Sequence, residues 1–244
     1  MLNKVLTRLG IGGATVDAVL DDDEIEVGGR LRAEIRIKGG TTAQEIRAAS
    51  LELVTRCLVE GPGDSKLHSD IVLAAGEVEI GTVAPGEEMS FRIEMQVPAS
   101  APISIGSTRS FLRSRLDVPG AVDPRDSDAV TILPDRSMLA VIEGIQNAGF
   151  RLAETEVEYQ PRRDPPFVQE FDFRPASLGD FGIEEVEIAF RPVPGGVEVL
   201  LTVDNRGGVF RAGRERSVRL RVDHAEAGRI DMAAELRRVI DRLR

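Results

Sequence analysis

The amino-acid sequence predicts an all-β protein built as two tandem antiparallel β-sandwiches, with a short N-terminal helix and a C-terminal amphipathic helix. Three observations support this fold class. Apolar residues alternate with polar ones over most of the chain, which is the pattern of half-buried strands. Glycine, proline and aspartate separate these short runs, as in sandwiches with tight turns. Near both ends of the chain the apolar residues have the spacing of an amphipathic helix.

The composition is that of an ordinary globular protein with one large domain or two smaller ones. The chain has 244 residues, of which 42% are hydrophobic and 30% are charged, and this argues against wholesale disorder. The single cysteine, Cys57, excludes an internal disulfide framework and favours a reducing compartment. There is no run of about 18 apolar residues, and residues 1–10 are too short and too charged for a signal peptide. We therefore expect a cytoplasmic protein.

The first element is a short amphipathic helix over residues 1–9. Its apolar residues follow the i, i+3, i+4, i+7 spacing, and Gly10 ends it. Such a short helix is marginal alone, so its apolar face either packs on its own domain or docks on a partner or a membrane surface. The apolar residues are Leu2, Val5, Leu6 and Leu9.

A first sandwich is predicted after this helix, and residues 1–133 form the N-terminal domain together with it. Strand-like runs alternate with turns throughout this region. In residues 31–38, for example, Leu31, Ala33, Ile35 and Ile37 share one face. The predicted strands cover residues 14–20, 31–38, 46–60, 71–74, 78–83, 89–97, 110–118 and 129–133.

A second, smaller sandwich is predicted over residues 134–225, after a linker at Pro134 and Asp135. Its most informative strand covers residues 167–173, where Phe167, Phe171 and Phe173 fall on one face of an extended chain. Few aromatic residues occur in the chain, so this strand is expected to anchor the core. The predicted strands cover residues 138–145, 150–159, 167–173, 185–190, 197–203 and 217–223.

Residues 226–244 form the strongest predicted helix. Its apolar residues lie on one face and its arginines lie opposite. The helix either seals a sheet edge or the domain junction, or it offers its apolar face to a partner or to an anionic membrane. The apolar residues are Met232, Leu236, Val239, Ile240 and Leu243.

No catalytic, cofactor or metal site is predicted. The two histidines, His68 and His224, have no cysteine or second histidine at ligand spacing, and Cys57 reads as a buried thiol. Residues 123–128 contain three aspartates but lack the glycine and the terminal glutamate of an EF-hand loop, so a solvated turn is favoured over a calcium site. The glycine-rich points lack the strand–turn–helix setting of a phosphate loop.

Seven stretches of the chain stand in a characteristic order and spacing: residues 10–12, 14–17, 27–29, 37–40, 116–118, 121–124 and 167–173. Together they resemble bacterial sporulation-control proteins of the SpoOM type. The resemblance runs from Met1 to at least Phe190. It implies an arrestin-like fold of two β-sandwich domains, and a cytoplasmic regulator of sporulation or cell-cycle timing that binds other proteins and carries no catalytic residues.

Taken together, these patterns favour a non-enzymatic regulator or adaptor that has no cofactor and acts through protein–protein contacts. Its partner is expected to be an unidentified protein, and the resemblance suggests the sporulation or cell-division machinery. The alternative is a peripheral membrane scaffold that uses the basic terminal helices. An enzyme with a site of dispersed carboxylates is the least favoured reading, since no base or nucleophile stands beside them. The net charge of −10 argues against nucleic acid as a partner. The sequence is also compatible with a homodimer. The candidate partner-binding residues are Leu2, Val5, Leu6, Leu9, Leu236, Val239, Ile240 and Leu243.

Overall fold

The computed structural model describes residues 12–60, 66–177, 182–205 and 214–244. The N-terminal helix predicted for Leu2, Val5, Leu6 and Leu9 lies outside these residues. The chain divides into two compact units. Unit 1 contains the residues up to Arg56, together with Asp70–Ala101 and Arg109–Ile132. Unit 2 contains Cys57–Ser69, Pro102–Thr108 and Leu133–Arg244.

Strands dominate the described residues, which confirms the predicted all-β class, and two helices accompany them in this part of the chain. The strands are β1 (Thr15–Leu20), β2 (Glu24–Glu26), β3 (Arg30–Lys38), β4 (Gln44–Glu60), β5 (Lys66–Val83), β6 (Glu88–Gln96), β7 (Ser110–Leu116), β8 (Arg125–Leu133), β9 (Phe150–Tyr159), β10 (Phe167–Pro175), β11 (Ile183–Val193), β12 (Gly196–Asn205) and β13 (Arg214–Asp223). The helices are α1 (Arg136–Asn147) and α2 (Met232–Leu243).

Unit 1 contains two sheets. The first has the order β1-β3-β6, and both of its pairings are antiparallel. The second places β7 between β4 and β8, followed by β2, with β5 paired to β4. As predicted, Leu31, Ala33, Ile35 and Ile37 of β3 are all buried, because every second side chain of a strand points to the same face.

Strand β5 differs from its prediction. Two short strands were expected over residues 71–74 and 78–83, because Gly76 interrupts the apolar pattern, but the structure has one continuous strand. A Cβ atom at Gly76 would lie 3.0 Å from Cγ2 of Ile93. Gly76 therefore allows a close approach to a neighbouring side chain and does not end the strand.

Unit 2 contains a five-stranded sheet in which β9 to β13 lie side by side in chain order, all antiparallel. The predicted inward face of β10 is confirmed, since Phe167, Phe171 and Phe173 are 8%, 1% and 0% exposed. The Phe171 ring meets the Phe190 ring edge to face, with 5.3 Å between centroids. This face of the sheet forms the core of unit 2.

The prediction of a strand at residues 138–145 is wrong, because these residues belong to α1. The predicted linker residue Asp135 is the N-cap of this helix, and its carboxylate accepts hydrogen bonds from the amides of Ser137 (2.7 Å) and Met138 (2.9 Å). The buried side chains recur at helical spacing, and a short apolar run cannot be assigned by its length alone. They are Met138, Val141, Ile142 and Ile145.

Helix α1 and residues 102–108 pack against the unit 2 sheet. Helix α1 packs on β9 and β12. Beside it, residues 102–108 are fixed by the side chain of Gln169, which accepts a bond from the Ile103 amide (2.8 Å) and donates one to the Ile103 carbonyl (2.9 Å). Gln169 lies in the aromatic stretch of β10, so that stretch both fills the core and fixes a neighbouring segment.

Candidate functional site: the C-terminal helix and an acidic sheet face

Helix α2 packs onto α1 through the apolar face that the sequence predicted. Asp231 caps it by accepting a hydrogen bond from the amide of Ala234 at 3.0 Å. Four of its side chains are between 1% and 8% exposed, and Leu243 at its end is half-buried. The buried side chains are Met232, Leu236, Val239 and Ile240.

Gly144 allows the two helices to approach closely. A Cβ atom at this position would lie 2.6 Å from Cγ of Met232 and 2.9 Å from Cδ1 of Leu236. The guanidinium of Arg237 donates to the carbonyl of Ala148, the C-cap residue of α1. A small residue in α1 and a charged hydrogen bond therefore both contribute to the position of α2.

This packing covers the predicted partner-binding residues of the C-terminal helix. Leu236, Val239 and Ile240 are buried against α1, which is the self-packed arrangement that the sequence left open. A partner could reach them only after α2 leaves α1. Their role in partner binding stays a prediction.

Replacing Gly144 with alanine is expected to loosen α2. In an isolated helix this change stabilises by about 1 kcal/mol, but here the added methyl group overlaps Met232 and Leu236. We expect a net loss of stability and faster hydrogen exchange of the amides of residues 232–243. Mass spectrometry of exchanged peptides measures this effect. Glu143→Ala on the exposed side of α1 is the matched control, and slower or unchanged exchange in Gly144→Ala would contradict the packing.

Ser137, His224 and Asp135 come together without forming a catalytic triad. Ser137 Oγ lies 2.6 Å from Nδ1 of His224, and Asp135 Oδ1 lies 3.9 Å from the same nitrogen. In a triad the serine and the aspartate contact opposite ring nitrogens, and the serine is accessible. Ser137 is 0% exposed. The group therefore connects the end of β13 to the start of α1.

The second face of the unit 2 sheet is lined by carboxyl side chains. The strand register places Glu170 between Glu156 and Ala189, and Asp172 between Glu154 and Glu187. Ion pairs border this acidic face: Lys66 pairs with Glu156 at 3.2 Å, and Arg174 pairs with Glu185 at 3.2 Å. The carboxyl residues of the face are Glu154, Glu156, Glu158, Glu170, Asp172, Glu185, Glu187, Asp204 and Glu215.

Burial and mutual repulsion alter the titration of this acidic face. Burial, reinforced by the nearby Glu187 and Glu158, raises the pKa of Glu170 to about 7. Burial also raises the pKa of Asp172 to about 7, with Glu185 and Glu187 adding to the effect. Burial likewise raises the pKa of Glu187. The acidic face therefore holds protons near neutral pH.

The remaining candidates from the sequence are Cys57, His68 and the aspartates of residues 123–128. Cys57 is 2% exposed, and His68 lies on the surface of β5. Asp123 accepts hydrogen bonds from the Val118 amide and from Arg115, and these lower the pKa of its carboxyl. Among the described residues, no three acidic, histidine or cysteine side chains converge on a point where a metal ion could bind.

Sequence reasoning missed Gly144, the Ser137–His224 contact and the acidic face. The alternation of acidic residues at 154, 156 and 158 and at 170 and 172 was visible, and it could have indicated one acidic sheet face. The contacts of Gly144 and His224 join residues 87 or more positions apart. No local pattern signals such contacts.

Comparison with known proteins identifies the family. The sequence profile described as "SpoOM protein" matches residues 2–207. The sporulation-control protein spo0M of Bacillus subtilis (strain 168) is 30% identical over 98% of this chain and 96% of its own length. The crystal structure of Spo0M from Bacillus subtilis superimposes with a TM-score of 0.84, covering 96% of this chain and all of that one. Among the described helices, neither is long and apolar enough to cross a bilayer. The chain therefore belongs to the SpoOM protein family.

Proposed function

We propose that this protein is a cytoplasmic, non-enzymatic regulator that acts through protein–protein contacts in a sporulation-related process. The observation that carries the proposal is its relationship, over nearly the whole of both chains, to a protein named for sporulation control. A relationship of this extent covers both units and is not limited to one module. Regulation of developmental or cell-cycle timing is the role that it supports best.

The construction of unit 2 supports contact-based action. The Ser137–His224–Asp135 group holds two elements together, with the serine buried. The docked helix α2 offers one means of contact, because its apolar face could occupy a partner's groove after release from α1. Membrane binding would need the same release of α2, and the chain's net charge of −10 disfavours approach to an anionic surface.

Affinity purification with chemical cross-linking tests the contact-based mechanism. The full chain, tagged and expressed in its own host, is expected to recover a specific protein in repeated experiments. A chain lacking residues 229–244 serves as the second bait and reports whether α2 takes part. An unrelated acidic β-sheet protein is the control bait. If the full chain recovers no protein that the control bait does not also recover, action through protein contacts is contradicted.

Deletion of the gene in its host tests the regulatory role. We expect a shifted time of sporulation or of another cell-cycle transition, measured by time-lapse microscopy, and restoration by the full chain. Unchanged timing in the deletion strain would contradict the proposed role.

A further inference from the structure

A pocket of about 470 Å³ lies in unit 2 at the end of β9. Its apolar part consists of Leu58, Val59 and the ring of Tyr159, the only tyrosine of the chain. Tyr159 is 38% exposed, and Leu58 and Val59 are half-buried. The volume falls in the range of about 300–1,000 Å³ that is typical of binding pockets.

Backbone hydrogen bonds fix the walls of this pocket. The end of β4 runs parallel to β9, with Leu58 opposite Glu158. Beyond β9 the chain turns, because the amide of Arg163 donates to the Gln160 carbonyl and the amide of Gln160 donates to the Pro166 carbonyl, both at 2.9 Å. This turn brings Arg162 and Arg163 into the lining of the pocket that also contains Tyr159.

The pocket is cationic, whereas the chain as a whole has a net charge of −10. Among the described residues that line it, Lys66, Arg162 and Arg163 carry positive charge and Glu158 carries negative charge. Arg162 is exposed and makes no ion pair with any residue that the structure describes. Lys66 retains 64% of its side-chain surface in solvent while it contacts Glu156. Positive charge is therefore available next to apolar surface.

We propose that this pocket docks an acidic peptide segment of a partner protein that carries an apolar side chain. The acidic groups of the peptide would lie beside Arg162 and Arg163, and its apolar side chain would contact Tyr159, Leu58 and Val59. Charge complementarity selects the peptide, and burial of apolar surface adds affinity. The inference rests on the proposed function, since it names the chemistry of one protein contact.

The arrangement fits a peptide better than a small anion. A tight phosphate site needs donors that converge on one point, whereas Arg163 Nη1 lies 3.4 Å from the side-chain oxygen of Gln160 and Lys66 Nζ lies 3.2 Å from Glu156. Glu158 within the lining would also repel a compact polyanion. Spaced cations around an apolar surface suit an extended chain with spaced carboxylates.

Random dodecapeptides displayed on phage and selected on the immobilised full chain test the proposal. We expect enrichment of peptides that combine aspartate or glutamate with a leucine, isoleucine or aromatic residue. Enriched sequences are then synthesised, and their binding is measured by fluorescence anisotropy. The double variant Arg162→Glu/Arg163→Glu is expected to weaken binding at least about tenfold, with weaker binding of the wild type in high salt.

The control double variant Arg151→Glu/Arg229→Glu changes the net charge equally at exposed arginines outside the pocket, and it is expected to retain binding. Tyr159→Ala tests the apolar part and is expected to weaken binding severalfold. Absence of enrichment, selection of basic peptides, or equal weakening by both double variants would overturn the proposal. If the Arg162→Glu/Arg163→Glu bait still recovers the cross-linked host protein and binds no acidic peptide, this inference fails while the proposed function stands.

Discussion

Replacing Phe171 with alanine is expected to lower the free energy of unfolding by about 3–5 kcal/mol. Phe171 is 1% exposed at the centre of β10, and its ring packs edge to face on Phe190. The change removes apolar contact area and leaves a cavity that a rigid antiparallel sheet cannot close. The loss of the ring pair adds about 0.5–1.5 kcal/mol to the cost of lost burial.

Urea unfolding followed by circular dichroism measures this loss, and Phe171→Leu should recover part of it. Tyr159→Ala is the matched control, because Tyr159 lies in the neighbouring strand and is 38% exposed. We expect a clearly smaller effect there. A loss below about 1 kcal/mol for Phe171→Ala would show that the ring does not support the core of unit 2.

The sequence predicted strands well where one face is apolar and the other polar. Strand β3 and the stretch 167–173 are clear examples, since their alternation sets both the secondary structure and the buried face. The C-terminal helix was also foreseen, although it begins at Met232 after the capping residue Asp231. In these elements local pattern and tertiary packing agree.

Helix α1 was missed because its apolar run is buried and short, which suits either a strand or a helix. The decisive signal was Asp135, a capping residue read as part of a linker. Once Asp135 is taken as an N-cap, the apolar residues Met138, Val141 and Ile145 fall on one helical face. The cap, and not the apolar content, distinguished the two structures.

Most of the candidate site could not be predicted from the sequence, because strand pairing creates it. The Tyr159 pocket combines Leu58 of β4, Lys66 of β5 and the turn after β9. The repulsion between Glu170 and Glu187 depends on the register of β10 against β11. A shift of one residue in that register would move the carboxylates to the other face.

The free energy of unfolding is expected to fall as the pH rises from about 5 to 8. Glu170 and Asp172 have a pKa of about 7 in the folded protein, above their ordinary values of 4.5 and 3.8. Between about pH 4 and pH 7 the folded protein therefore binds more protons than the unfolded chain, so acidification stabilises it. Above pH 7 both carboxylates are charged in a partly buried, acidic surrounding, and their destabilisation of the folded protein is then complete.

Substitution of Glu170 and Asp172 tests whether these two residues cause the pH dependence of the free energy of unfolding. Glu170→Gln with Asp172→Asn removes the charges and keeps the shapes, so we expect about 2–4 kcal/mol more stability than the wild type at pH 8, allowing for the solvent that still reaches both groups. Urea unfolding at pH 5, 6, 7 and 8 should give a flatter profile for this variant, whereas Glu226→Gln at an exposed position should follow the wild type. A double variant that is less stable than the wild type at pH 8 would mean that these carboxylates help to stabilise the sheet. In that case the acidic face could not act as the destabilising element inferred from its register and burial.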